Sequence, residues 1–269
     1  MIAYIAYRIA EAAARGLPRG LADRIGVSLA RLAFALGVPA RRRLERNLEL
    51  LLASQGPGAI REIARAGFEH FALGLTDFLR LRPSAAGRAE AAVEVRGAEH
   101  LESARASGRG VIVLSAHVGG WERGAAFLAA RGVRLHVAAR AHPSERVESL
   151  FERRRRALGV RRLTGRPMWL SAARALRGHE WVAVMSDRGV PGASASVCAW
   201  AAALARRTGA LVLPAVMVRL PSGAYAACFE PPLSAEACAS GGFRDSMRGM
   251  LERYPNQWCA FERLPEGLA

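Results

Sequence analysis

A chain of 269 residues is long enough for one full α/β core. Its hydrophobic share of 51% excludes a disordered protein, and its four cysteines, with no CxxC spacing, exclude the common zinc frameworks. The net charge is +16 and the pI about 11.4, with all 39 basic residues arginine, a balance that favours anionic surfaces such as phospholipid headgroups, nucleic acid or an acidic carrier protein.

The opening MIAYIAYRIAEAAARGLP starts apolar and then meets Arg8, Glu11 and Arg15. Its apolar run falls short of the ~20 residues that span a bilayer. Charge follows the run instead of preceding it, unlike a cleaved signal. The segment reads as a helix, either lying on a membrane surface or packed on the domain. LADRIGVSLARLAFALGV is a second apolar helix with few charges, which suits a membrane surface. In RRRLERNLELLLA, Arg41 to Arg43 sit beside Leu44, Leu48, Leu51 and Leu52 at helical spacing. After the turn at Gly56-Pro57-Gly58, a longer helix runs from Ile60 to Leu81, with His70 among phenylalanines as a packing residue.

PSAAGRAEA reads as a linker. Beyond it, VEVRG, VIVLSA, LHVAAR, VRRLTG and EWVAVMSDRG are short apolar strands separated by helices of crossover length. ALVLPAVMVRL and AYAACFEPPL form a strand pair turning at Pro221-Ser222-Gly223. A helix through Met247 and a closing strand, QWCAFE, complete the chain. The alternation predicts an α/β fold: a mostly parallel central sheet with helices on both faces and an N-terminal helical layer. It reads as a single domain over 1–269, with the helical layer in 1–82 and the α/β core in 92–264.

Ligands of such sheets gather beyond the carboxyl ends of the strands. Three predicted strands end in His117, Arg140 and Asp187, so one rim would gather a base, a cation and an acid. The stretch VIVLSAHVGGWE is a buried strand, an imidazole, a glycine turn, a carboxylate and a helix start. His117 and Glu122 are five positions apart, about 500° on a continuous helix, so they meet only if Gly119-Gly120 breaks the helical path. A histidine held by a carboxylate at a strand tip is suited to deprotonate a hydroxyl, whereas a lone strand-end histidine commonly just caps a turn. The run Arg153 to Arg156 reads as a solvated helix face, or as a docking patch for an acidic carrier protein. Ser115 lacks the G-x-S-x-G elbow, and no phosphate loop, dinucleotide fingerprint or metal-ligand spacing is present. The cysteines read as buried reduced thiols.

H-V-G-G-W-E resembles the H-x-G-x-W-E form of the HxxxxD/E box in the bacterial lipid A biosynthesis (lauroyl/myristoyl) acyltransferase family. Further similarities span essentially the whole chain: Arg46-Asn47-Leu48, GFEHFALGLTDFLRL, HVAARAHP, VMSDRG, RRTGALVLPAVMVRL and RYPNQWCAFER. The resemblance implies a glycerol-3-phosphate acyltransferase-like fold. It also implies O-acyl transfer from acyl carrier protein or acyl-CoA to a hydroxyl of a lipid A-type acceptor, at the cytoplasmic face of the bacterial inner membrane. His117 and Glu122 would be the catalytic dyad, with Arg140 contacting phosphate. Asp187, Arg188, Gly119, Gly120 and Trp121 would line the substrate site, the diglycine turn and helix start offering backbone donors. No cofactor, metal or nucleic acid is expected.

Two departures stand out: Arg188 replaces a usual glutamine, and VPGASAS replaces a longer loop containing F-F-G. The acceptor therefore stays open, with a mannosylated phosphoinositide, a polyketide or an aryl lipid as alternatives. A non-enzymatic basic protein that binds membranes or nucleic acid is the rival class.

Overall fold

A computed structural model describes residues 1–82, 93–163, 167–187 and 197–264. The chain opens with four helices, α1 (Ile2–Gly16), α2 (Arg19–Ala35), α3 (Pro39–Leu51) and α4 (Pro57–Arg80). The core then runs β1 (Val93–Arg96), α5 (Ala98–Ala106), β2 (Val111–Ser115), α6 (Trp121–Ala130), β3 (Leu135–Ala138), α7 (Glu145–Ala157), β4 (Val160–Arg162) and α8 (Met168–Arg177). It continues with β5 (Trp181–Met185), α9 (Val197–Thr208), β6 (Leu211–Arg219), β7 (Tyr225–Phe229), α10 (Ala235–Ala239) and α11 (Gly242–Arg253).

The seven strands form one sheet in the order β1-β7-β6-β2-β5-β3-β4. The run from β6 to β4 is parallel, whereas β7 pairs antiparallel with β6 and parallel with β1. The predicted α/β architecture is the one observed. All five residues of β2 are buried, as expected of a central parallel strand covered on both faces. Ile112 and Leu114 join one core cluster with Leu44, Leu48 and Trp258; Val111 and Val113 join a second with Phe127 and Leu128. Burial of each such side chain contributes roughly 1.5–3 kcal/mol.

Two features of the sequence reading are corrected. QWCAFE forms no strand: Pro255–Gln257 is a single 3₁₀ turn, and Trp258 makes only an isolated bridge to Val118. The backbone there is bonded elsewhere, the Gln257 carbonyl to Gly119 N and Cys259 N to the His117 carbonyl. The basic run in α7 is also not simply a solvated face, because Arg154 is buried. It donates to Glu11 at 2.7 Å and to the carbonyls of Phe78, Leu79 and Leu81 at 2.7, 2.6 and 3.1 Å. A guanidinium with five donors thus satisfies the orphan carbonyls at the C-terminus of α4 and ties α1 to the core.

A second polar lock fixes the helical layer to the sheet. Asp77 of α4 accepts from Tyr225 Oη at 2.9 Å and from Arg19 at 3.3 Å, and Arg19 also donates to the Gly223 carbonyl at 3.0 Å. Burial and the adjacent Asp77 push the Tyr225 hydroxyl well above its ordinary range, so it remains a donor.

Candidate active site

His117 lies two residues beyond β2, where the chain leaves the sheet. Its main chain is fixed on both sides: N–H donates to Asp187 Oδ2 at 2.9 Å, and the carbonyl accepts from Cys259 N at 2.7 Å. The imidazole Nδ1 lies 2.7 Å from Asp187 Oδ1, with the two side chains only 11% and 3% exposed. Asp187 follows β5, the parallel neighbour of β2, so adjacent strands deliver the pair to one rim. A carboxylate at Nδ1 fixes the Nδ1–H tautomer and leaves Nε2 as the basic nitrogen. Burial opposes ionisation of Asp187. The His117 charge and the hydrogen bonds from the His117 ring, the His117 N–H and the Trp258 indole outweigh it, holding the carboxyl below the usual carboxylate range.

The glycine turn is a steric requirement. Gly119 has φ +57°, and a Cβ there would collide with the Met217 carbonyl; a Cβ on Gly120 would strike the Tyr225 ring. The turn is non-helical, as its composition predicts. Its amides are not open donors, however: Gly119 N donates to the Gln257 carbonyl at 2.9 Å and Gly120 N to the Met217 carbonyl at 2.8 Å. The helix start remains as a source of donors, because first-turn amides have no intrahelical acceptor.

Glu122 does not supply the carboxylate bonded to His117. It is gripped by both arms of the Arg155 guanidinium, Nε at 2.9 Å to Oε2 and Nη2 to Oε1. Arg155 stands on α7, and both side chains are about 15% exposed. Burial alone would lower the Arg155 pKa, but the charge of Glu122 and its hydrogen bond raise it. The acid of the H-x₄-E box therefore serves an arginine, while the acid on the imidazole, Asp187, comes from beyond β5.

His117, Trp121 and Glu122 all line one cavity of about 570 Å³. Between the sheet and α6 it is lined by Val113, Ala183, Ala215, Ala227, Phe229 and Phe127. Small side chains make this space. At Gly124 α6 approaches β6 so closely that a Cβ would lie 3.2 Å from Met217 Cβ. Trp121 stacks on Phe71 at 6.1 Å and meets the His117 ring edge-on at 5.1 Å. Arg140 borders the cavity, its side chain 58% exposed and 3.8 Å from Glu262. Tyr7 of α1 lines it too, edge-on to Phe151 at 5.3 Å. Arg188 and the VPGASAS segment lie outside the described residues.

Residues 2–259 match the profile of the bacterial lipid A biosynthesis acyltransferase family. The chain belongs to that family. It is an acyltransferase, and the family's acceptors are of the lipid A type. No curated protein matches the chain.

The strand-end pattern expects His117 and Asp187 at one rim, and the structure brings them together there. Arg155 carries no such signal, because spacing within the arginine run does not show which member turns inward. Trp258, within RYPNQWCAFER, has no role legible from the sequence, although a buried tryptophan needs a partner for its N–H.

Proposed function

We propose that the protein transfers a fatty acyl chain from an acyl carrier protein or coenzyme A thioester to a hydroxyl of a lipid A-type acceptor. His117 is the general base, and Asp187, rather than Glu122, orients it. The observation that carries the reading is an imidazole fixed by a buried carboxylate at 2.7 Å, lining a cavity with an apolar interior. Nε2 takes the acceptor's hydroxyl proton as the oxygen attacks the thioester carbonyl. The tetrahedral intermediate carries its negative charge near the N-terminus of α6, where the helix dipole favours an anion. Collapse breaks the carbon–sulfur bond, the leaving thiolate takes the proton back from the imidazolium, and an ester and a free thiol result. These steps call on no cofactor.

The acyl chain occupies the space between the sheet and α6, and Arg140 meets phosphate of the acceptor or of the donor's pantetheine arm. Ile2 and Ile9 of α1, Leu29 of α2 and Leu36 just beyond it are 86%, 64%, 62% and 72% exposed, which suits seating in a bilayer interface. No helix among the described residues is long and apolar enough to cross a membrane. Peripheral attachment to the cytoplasmic face of the inner membrane fits both the apolar faces and the net charge of +16.

The test is reconstitution of purified protein with acyl carrier protein charged with dodecanoate and a lipid A precursor in anionic vesicles, followed by mass spectrometry. An acylated product that disappears in His117→Ala is expected. Salt-sensitive DNA binding with no acyl transfer would return the chain to the class of basic binders.

A further inference from the structure

The Asp187 carboxylate holds its two oxygens to different tasks. Oδ1 faces the imidazole, while Oδ2 takes two donors, the His117 N–H at 2.9 Å and the Trp258 indole Nε1–H at 3.0 Å. With Oδ1 on the imidazole, each bond to Oδ2 opposes rotation of the carboxyl about its own axis. One comes from a main chain already fixed by the sheet. The other comes from a residue almost at the C-terminal end of the described chain, 71 positions from Asp187.

The segment carrying Trp258 is pinned along its length. The Gln257 side chain accepts from Arg219 N at 2.8 Å and donates to the Arg219 carbonyl at 2.7 Å. Cys259 N donates to the His117 carbonyl. Downstream, Asn47 of α3 donates to the carbonyls of Ala260 and Glu262, both at 2.8 Å. α4 presses from above: a Cβ on Gly67 would come within 3.2 Å of the Trp258 carbonyl. Trp258 itself is 2% exposed. An indole held this tightly, with its one polar atom on a buried carboxylate, is more than a space-filler.

We infer that Trp258 is a positioning residue for acyl transfer, acting through Asp187: its indole N–H fixes Oδ2 so that Oδ1 holds His117 in the reactive tautomer. The inference rests on His117 being the base. Withdrawing the N–H leaves the carboxylate richer in charge and freer to turn. The imidazolium is then better stabilised, and the imidazole is less well aimed.

Trp258→Phe keeps an aromatic ring and removes the donor. Replacement of Trp258 by benzothienylalanine, in which sulfur stands for the N–H, keeps the full indole outline and serves if the phenylalanine variant does not fold. The His117 resonance, assigned as the one missing from His117→Asn, is titrated by NMR without any substrate. The same proteins are then assayed with dodecanoyl acyl carrier protein and a lipid A precursor. The expected results are a His117 midpoint moved to higher pH and a kcat lowered about tenfold, the order of one hydrogen bond to a charged group, with KM for the donor held. The acid limb of kcat/KM should move with the NMR midpoint. A folded variant with an unmoved His117 midpoint overturns the inference, whether or not activity falls, because a purely structural tryptophan would lower activity without touching the titration. Absence of transfer in the unaltered protein would instead sink the proposed reaction and leave the NMR result to judge Trp258 alone.

Discussion

His117 Nδ1 and Asp187 Oδ1 lie 2.7 Å apart although 70 positions separate them, while Glu122, five positions from His117, is bonded to Arg155. The two acids should therefore fail differently. Asp187→Asn keeps the shape and reverses the hydrogen-bond demand at Nδ1, trapping the wrong tautomer; a loss in kcat of about 10²–10⁴ is expected. Glu122→Gln keeps His117 correctly bonded and should cost markedly less at equal folded fraction. Steady-state kinetics on both variants, with circular dichroism to verify folding, decide it. A larger kcat loss in Glu122→Gln would restore the local dyad.

That contrast marks where the sequence was legible. The order of strands and helices could be read because β-branched runs such as VIVLS and WVAVM alternate with helices of crossover length. The diglycine could be read because glycine alone tolerates the turn. Which strand-end acid reaches the imidazole could not, since this depends on β2 and β5 being parallel neighbours in the sheet, not on spacing along the chain. QWCAFE misled for a related reason: its apolar residues cover His117 and Asp187 instead of pairing in a ladder. Arg154 and Arg155 looked solvated because their partners, Glu11 with the end of α4 and Glu122, come from distant helices.

Glu122 and Arg155 form a largely buried pair, so removing one partner strands the other. Glu122→Ala should destabilise the fold by roughly 3 kcal/mol, and Glu122→Ala combined with Arg155→Met should recover much of that loss. Urea denaturation of the two single variants and the double variant closes the cycle. Strictly additive costs would show that the pair is not coupled.

Side-chain volume in the lining sets how much of an acyl chain the cavity holds. Ala215→Leu adds bulk to that lining and should shift preference toward shorter acyl chains, whereas Phe229→Ala should admit longer ones. Each methylene of misfit is worth about 10–200-fold in kcat/KM. Competition among donors of graded chain length, read by mass spectrometry, gives the ratio directly. An unchanged chain preference in both variants would place the acyl group elsewhere.

Cys238 is buried, and burial raises its thiol pKa from 9.0 to about 11. The native thiol is therefore protonated at pH 8 and should resist a disulfide reagent that reacts promptly with the unfolded chain. The sign of the linkage is fixed: a thiol raised in the fold keeps its contribution below pH 9 and loses it as pH rises toward 11, so stability should fall across that window. Reagent kinetics on a variant retaining only Cys238, as a function of pH, supply the check. Fast labelling at pH 8 under native conditions would contradict the burial.

The apolar faces of α1 and α2 carry the membrane reading, and they can be altered without touching the site. Ile5 and Ile9 point outward, 49% and 64% exposed, while Tyr7 of the same helix lines the cavity and Glu11 anchors it through Arg154. Ile5→Glu with Ile9→Glu removes two apolar anchors and adds two charges that anionic headgroups repel. At roughly 1.5–3 kcal/mol per buried isoleucine, vesicle affinity should drop at least a hundredfold. Melting temperature should hold, because neither side chain packs in the core. Sedimentation with anionic vesicles reads the loss. Undiminished binding would mean that another surface meets the bilayer, and diminished binding with a lower melting temperature would mean that α1 needs those isoleucines to stay folded.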